Sequence, residues 1–201
     1  PSQNAQKYYK EYRKKQVAES MLNDFIDSSV KESEYLETVL DELLRATTAK
    51  EIAEIKAELF DGGYIKKKIQ KEKKSVSVPL EYQSSNGFKI LVGKNNVQND
   101  KLTLKTAKGF DLWFHVKDFP GSHTVVITNN QKVDENTVGE AAMIAAFNSK
   151  CSSSSNVAVD YTIVKNVKKP SGAMPGRVIY EDYNTIYVTP SLELVERLKK
   201  F

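Results

Sequence analysis

GKNNVQNDKLTLKTAKGFDLWFHVKDFPGSH, residues Gly93–His123, gathers three Asn (Asn95, Asn96, Asn99), three Asp (Asp100, Asp111, Asp118), the only Trp (Trp113) and both His (His115, His123). Its aromatic and β-branched content makes Leu112–Val116 a strand. The two-residue period then puts Trp113 and His115 on one face and Leu112, Phe114 and Val116 on the other. One face is apolar and core-facing; the second offers an indole and an imidazole. Leu102-Thr103-Leu104-Lys105 starts a short alternating run, and Phe119-Pro120-Gly121 turns the chain into a further strand from His123 to Ile127. Two readings of the polar groups stand side by side. In one, the amides, the indole and the imidazoles meet a ligand. In the other, the Asn side chains close turns, and neighbouring backbone satisfies the rings.

Outward from this stretch the pattern is strand-rich. Val78–Tyr82 and Phe88–Val92 flank Ser85-Asn86-Gly87, and Asn-Gly is a strong hairpin signal. On the C-terminal side, Thr137-Val138-Gly139-Glu140 reads as a capping box that opens a helix from Glu140 to Ser149. Ala141, Ala142, Ala145 and Ala146 give that helix a thin face for close packing on a sheet. Val157–Val164 alternates as a strand. Lys165, Lys168, Lys169 and Arg177 flank the loop Pro170–Gly176. Val178–Tyr180 and Ile186–Val188 read as a final hairpin, and Thr189-Pro190 starts the last helix with Pro at its first position.

Towards the N-terminus the pattern changes. No Pro or Gly falls between Pro1 and Gly62. Apolar residues recur at helical spacing from Leu22 to Leu44, so residues 5–46 read as one coiled-coil-like helix of roughly 60 Å. A helix of that length needs a partner: an antiparallel helix, a second copy, or another segment. Thr48-Ala49-Lys50-Glu51 caps a second helix that ends at Gly62-Gly63. A run with six Lys against one Glu follows in 64–74, which is a solvated tether or a phosphate contact. The chain therefore reads as an α+β protein. A helical, coiled-coil-like arm occupies 1–63, a basic linker 64–76, and a mixed, mainly antiparallel sheet domain with packed helices 77–201.

Charge follows this division. Residues 1–60 hold 9 basic and 12 acidic residues; the remainder holds 21 and 14. A basic second part attracts polyanions such as RNA. The single Cys151 excludes an internal disulfide and suits a reducing compartment. No apolar run is long enough to span a membrane.

Asp111, His115 and His123 invite a metal or acid-base reading. Asp111 and His115 share a strand face but are separated by about 13 Å of extended chain, and Ser122 and His123 point to opposite faces. No phosphate loop, GxSxG or HExxH is present. No catalysis, metal or cofactor is expected.

The motifs GKNNVQND, DLWFHVKDFPGSH, KKPSGAMPGRVIY and TIYVTP, taken in that order, resemble the NFACT-R domain. This is the C-terminal module of the NFACT family, which includes NEMF and the bacterial RqcH/FbpA fibronectin-binding-type proteins. The family usually carries Arg where Lys94 stands; Lys keeps the charge and loses the bidentate fork. The resemblance covers residues 77–201, and the preceding helices are similar to the end of the family's coiled-coil region. It implies a ribosome- and RNA-associated module that engages large subunits carrying a stalled, tRNA-linked chain. In full-length bacterial members this goes with alanine tailing. Fibronectin or fibrinogen attachment at a cell surface is the alternative that it implies. On the first implication, RNA contact falls to Lys94, Asn95, Asn96, Asn99, Trp113, His115, His123, Lys168, Lys169 and Arg177, in a cytoplasmic protein. The amides would bond bases or 2′-hydroxyls and the indole would stack.

Overall fold

A computed structural model describes residues 2–66 and 77–200. Helix α1 (Ser2–Arg45) and helix α2 (Ala49–Asp61) open the chain. Thr48 and Glu51 close both halves of the expected capping box on α2, which satisfies two backbone donors that a helix start otherwise leaves open. The chain divides into two compact units, one ending at Glu37 and one beginning at Thr38. In the first, apolar side chains such as Tyr12, Leu22 and Phe25 are exposed, and the Arg13 guanidinium lies 4.8 Å over the Tyr9 ring. The second takes in the end of α1 and all of α2. Of the basic tether read from the sequence, residues 67–76 lie outside the described residues.

The second unit is built on a six-stranded sheet of β1 (Leu80–Gln83), β2 (Lys89–Val92), β3 (Leu112–Val116), β4 (Thr124–Ile127), β5 (Val157–Ile163) and β8 (Asn184–Val188), in the order β1-β2-β4-β3-β5-β8. Every pairing described in it is antiparallel. The Asn-Gly hairpin between β1 and β2 is present, with Gly87 at φ 88°.

The expected alternation holds along β3. Phe114 and Val116 join Ile90, Val92, Val126, Val157 and Val159 beneath helix α4 (Glu135–Phe147), whose four alanines lie close on the sheet. Val195 and Leu198 of α5 (Leu192–Leu198) complete that core. On the opposite face Trp113 packs with Leu102, Val125, Val164 and Val167.

Four local expectations are corrected. Residues 102–106 are not an alternating strand. Helix α3 (Asn96–Lys101) runs into a π-helical turn at Leu102–Thr106, closed by Ala107 N–H donating to the Leu102 carbonyl at 2.9 Å. Helix α4 is capped by Asp134, three residues before Thr137, because the aspartate accepts from both the Thr137 N–H and its hydroxyl. The last helix is capped by Ser191, so Pro190 precedes the cap. Finally, Val178–Tyr180 and Ile186–Val188 do not pair with one another. β7 (Ile179–Tyr180) pairs with β6 (Val167–Lys168) in a separate ribbon, while β8 pairs with β5.

Candidate nucleic-acid interface

The polar residues of the central stretch are organised by helix α3. Asn95 caps it, accepting from Gln98 N–H at 2.9 Å, and Gln98 Oε1 accepts from Lys94 N–H at 3.1 Å. This Asn-x-x-Gln signature stands in the sequence and marks a helix start. It was the available clue to α3.

Once formed, α3 points its remaining amides at carboxylates. Asn95 Nδ2 donates to Glu54 at 2.8 Å, and Asn96 Nδ2 donates to Glu58 at 3.2 Å and to the Thr38 hydroxyl at 3.0 Å. Lys94 Nζ lies 2.7 Å from Glu51. Partial burial works to raise the Glu51 carboxyl, but the hydrogen bond and charge of Lys94 and the Thr47 and Thr48 N–H groups hold it down to about 2. At Lys94 a single carboxylate oxygen is met by a single ammonium, a geometry in which a guanidinium fork is not required.

The other end of α3 holds the Pro/Gly loop. Asp100 pairs with Lys169 and accepts from Gly176 N–H at 3.1 Å. Asn99 Oδ1 accepts from His123 N–H at 3.1 Å, and Thr103 Oγ1 lies 2.7 Å from His123 Nδ1. Trp113 fills the space beneath. It is stacked on His115 at 5.7 Å between centroids, edge-on to His123 at 5.2 Å and tilted against Tyr180 at 4.9 Å. Burial, and then the neighbouring His115, push the His123 imidazole down to about 3. Burial also lowers His115. Both rings are therefore neutral at physiological pH. Asp160 faces His115 across the β3–β5 pair and accepts from Tyr180 at 2.8 Å and Thr185 at 2.6 Å.

The expected contact set is thus not one surface. Asn95, Asn96, Asn99, Trp113 and His123 are all buried, and His115 is half-buried with Nε2 3.3 Å from the Gly121 carbonyl. These six therefore do not form an open face in this structure: a buried polar group must find an internal partner, and carboxylates and backbone supply most of them. Lys94 and Lys169 are held in ion pairs. Only Lys168, 3.6 Å from Glu181, and Arg177 stand exposed. Asp111 is engaged too, accepting from Lys108 N–H at 2.7 Å and Thr128 N–H at 2.8 Å. Among the described residues no cluster of His, Cys, Asp and Glu is placed to hold a metal ion.

Exposed cations lie elsewhere, on Lys101, Lys105, Lys108 and Lys165. Three of them fall in a run without acids, KLTLKTAKGF at 101–110.

The Glu42 carboxyl lies between α1 and α2 in the second unit. Burial, then the charge of Glu58, raise it well above its ordinary 4.5, while Arg45 opposes the shift and Asp41 adds to it. The folded protein holds this proton more tightly than the unfolded chain does. The stabilisation is complete below about 4.5 and is lost as pH rises through the raised value. Glu42→Gln, neutral at every pH, is expected to become more stable than the parent as pH climbs, the two converging in acid. Urea midpoints across pH check this; a gap that does not change with pH would contradict it.

Residues 1–77 match the family model for the NFACT N-terminal and middle domains, and residues 79–182 match that of the NFACT protein RNA binding domain. The chain is 43% identical over 204 residues to the Rqc2 homolog RqcH of Bacillus subtilis, covering 100% of this chain and 35% of that protein. It is 42% identical over 200 residues to the Rqc2 homolog RqcH of Streptococcus suis, covering 99% and 36%. It therefore spans about a third of the length of these curated relatives. The solved structure of the C-terminal of the fibronectin/fibrinogen-binding protein from Streptococcus suis superposes with a TM-score of 0.93 at 40% identity, covering 99% of this chain and 80% of that one.

Proposed function

The chain belongs to the NFACT family, and on that premise we propose that it is the RNA-contacting end of a ribosome quality-control factor. In this reading it engages the large ribosomal subunit and tRNA in the cytoplasm, and alanine tailing belongs to the full-length protein. The observation that carries the reading is the match of residues 79–182 to the family's RNA binding domain. Charge supports it: acidic residues are in the minority only after residue 60, where a sheet domain carries lysines on its outer side. The neutral histidines support a binding role over proton transfer: His123 is buried, and the half-buried His115 is stacked on Trp113. In this reading the chain acts by binding and performs no catalysis.

A second reading, attachment to fibronectin or fibrinogen, is favoured by the name of the Streptococcus suis protein with the same fold. One titration separates the two. Large subunits, tRNA and fibronectin are each added to the chain across a salt series. RNA binding is expected to weaken steeply with salt, with a log–log slope of about −3 or steeper if four phosphates are neutralised. Saturable fibronectin binding without RNA affinity would overturn the ribosomal reading and support the other.

A further inference from the structure

We propose that RNA lies along a ledge of four lysines, Lys101, Lys105, Lys108 and Lys165, with Phe110 as a stacking platform; this rests on the RNA-binding reading above. Lys101 and Lys105 are four residues apart where α3 passes into the π-helical turn, so they share its outer side. Residues 101, 104, 105 and 106 are exposed, while Leu102 and Thr103 are buried. Leu102 packs with Trp113 and Val125, and Thr103 meets His123. The turn therefore has one face locked into the sheet and the other free. Beyond it, Lys165 N–H donates to the Gly109 carbonyl at 3.0 Å. This brings Lys165 beside Lys108 although the two are far apart in sequence.

Among the described residues none of these four lysines is in an ion pair. No acid falls between Lys101 and Phe110, and the carboxylates at the two ends are turned inward. Asp100 is held by Lys169 and Gly176, and Asp111 by Lys108 N–H and Thr128. Phe110 is 44% exposed within this run. An apolar ring at the surface beside solvated ammonium groups has the composition of a single-strand RNA platform, where bases stack and phosphates track the cations. A π-helical turn is itself often found at functional positions. The buried Asn, Trp and His residues then have an indirect role: they fix the ledge from behind and do not touch the ligand.

The test uses the whole chain and a short mixed-sequence single-stranded RNA. Replacing Lys101, Lys105, Lys108 and Lys165 by Gln is compared with replacing the exposed Lys10, Lys14, Lys132 and Arg197 by Gln, which removes equal charge from other elements. The ledge variant is expected to lose about tenfold or more in affinity at low salt and to flatten the log–log salt slope by about 3. The control is expected to change both much less. Phe110→Ala, which leaves charge untouched, should weaken binding about fivefold or more without altering the slope. Equal losses in the two charge variants, or an unchanged Phe110→Ala, would overturn the ledge while leaving RNA binding intact. Failure of the parent chain to bind RNA would instead sink the reading on which the ledge rests. Circular dichroism confirms that each variant is folded before it is scored.

Discussion

Trp113→Ala is expected to destabilise the folded domain by about 3–5 kcal/mol, the range for deleting a large aromatic from a packed core. Trp113 has no exposed surface. Its ring is the common neighbour of His115, His123 and Tyr180, which come from three different parts of the chain. Removing it leaves a cavity that a strand-bound backbone cannot collapse to fill, and two imidazoles lose the surface against which they are packed. Trp113 Nε1 has no hydrogen-bond partner among the described residues. Trp113→Phe therefore forfeits volume but no bond, and should recover much of the loss. Urea denaturation of the two variants gives both quantities. If the alanine variant kept parental stability and lost RNA affinity, the indole would have to be a contact residue after all, and its burial would not describe the bound state.

This residue also shows what the sequence could and could not reveal. The two-residue period of Leu112–Val116 assigned Trp113 and His115 to one face correctly. It could not say that the face was covered, because much of the cover, Val164, Val167, Val178 and Tyr180, comes from more than 50 residues further along the chain. Local signals did best where both partners are near neighbours: the Thr48–Glu51 box, the Asn-Gly hairpin, the alanine face of α4. They failed where a distant group decides. Asn95 and Asn96 look like surface amides until Glu54 and Glu58 of α2 are placed beside them. Tyr180 looks like a hairpin residue until Asp160 draws its hydroxyl across the sheet. The chemically varied residues of 95–123 mostly pack inward, while the plain lysines of 101–110 are exposed.

Gly176→Ala is expected to cost about 2–5 kcal/mol, and its neighbour in the same loop shows why. Gly176 has φ 78°, a left-handed conformation that an L side chain adopts at a cost of about 1–2 kcal/mol. A Cβ there would also stand 2.2 Å from Asn96 Oδ1 and 2.8 Å from its Cγ. Asn96 cannot step aside without stretching its bonds to Glu58 and Thr38, and a displaced buried amide costs about 1–3 kcal/mol more. Gly172 has nearly the same φ, 72°, but nothing within 4 Å of its missing Cβ, so Gly172→Ala should show the conformational cost alone. The difference between the two variants measures how tightly the loop is clamped onto α3. The clamp matters beyond stability, because Gly176 N–H and Lys169 both hold Asp100, the residue before Lys101. Faster amide exchange across 96–106 in Gly176→Ala than in Gly172→Ala is the expected result. Equal exchange would mean that the lysine-bearing turn holds its shape without the loop.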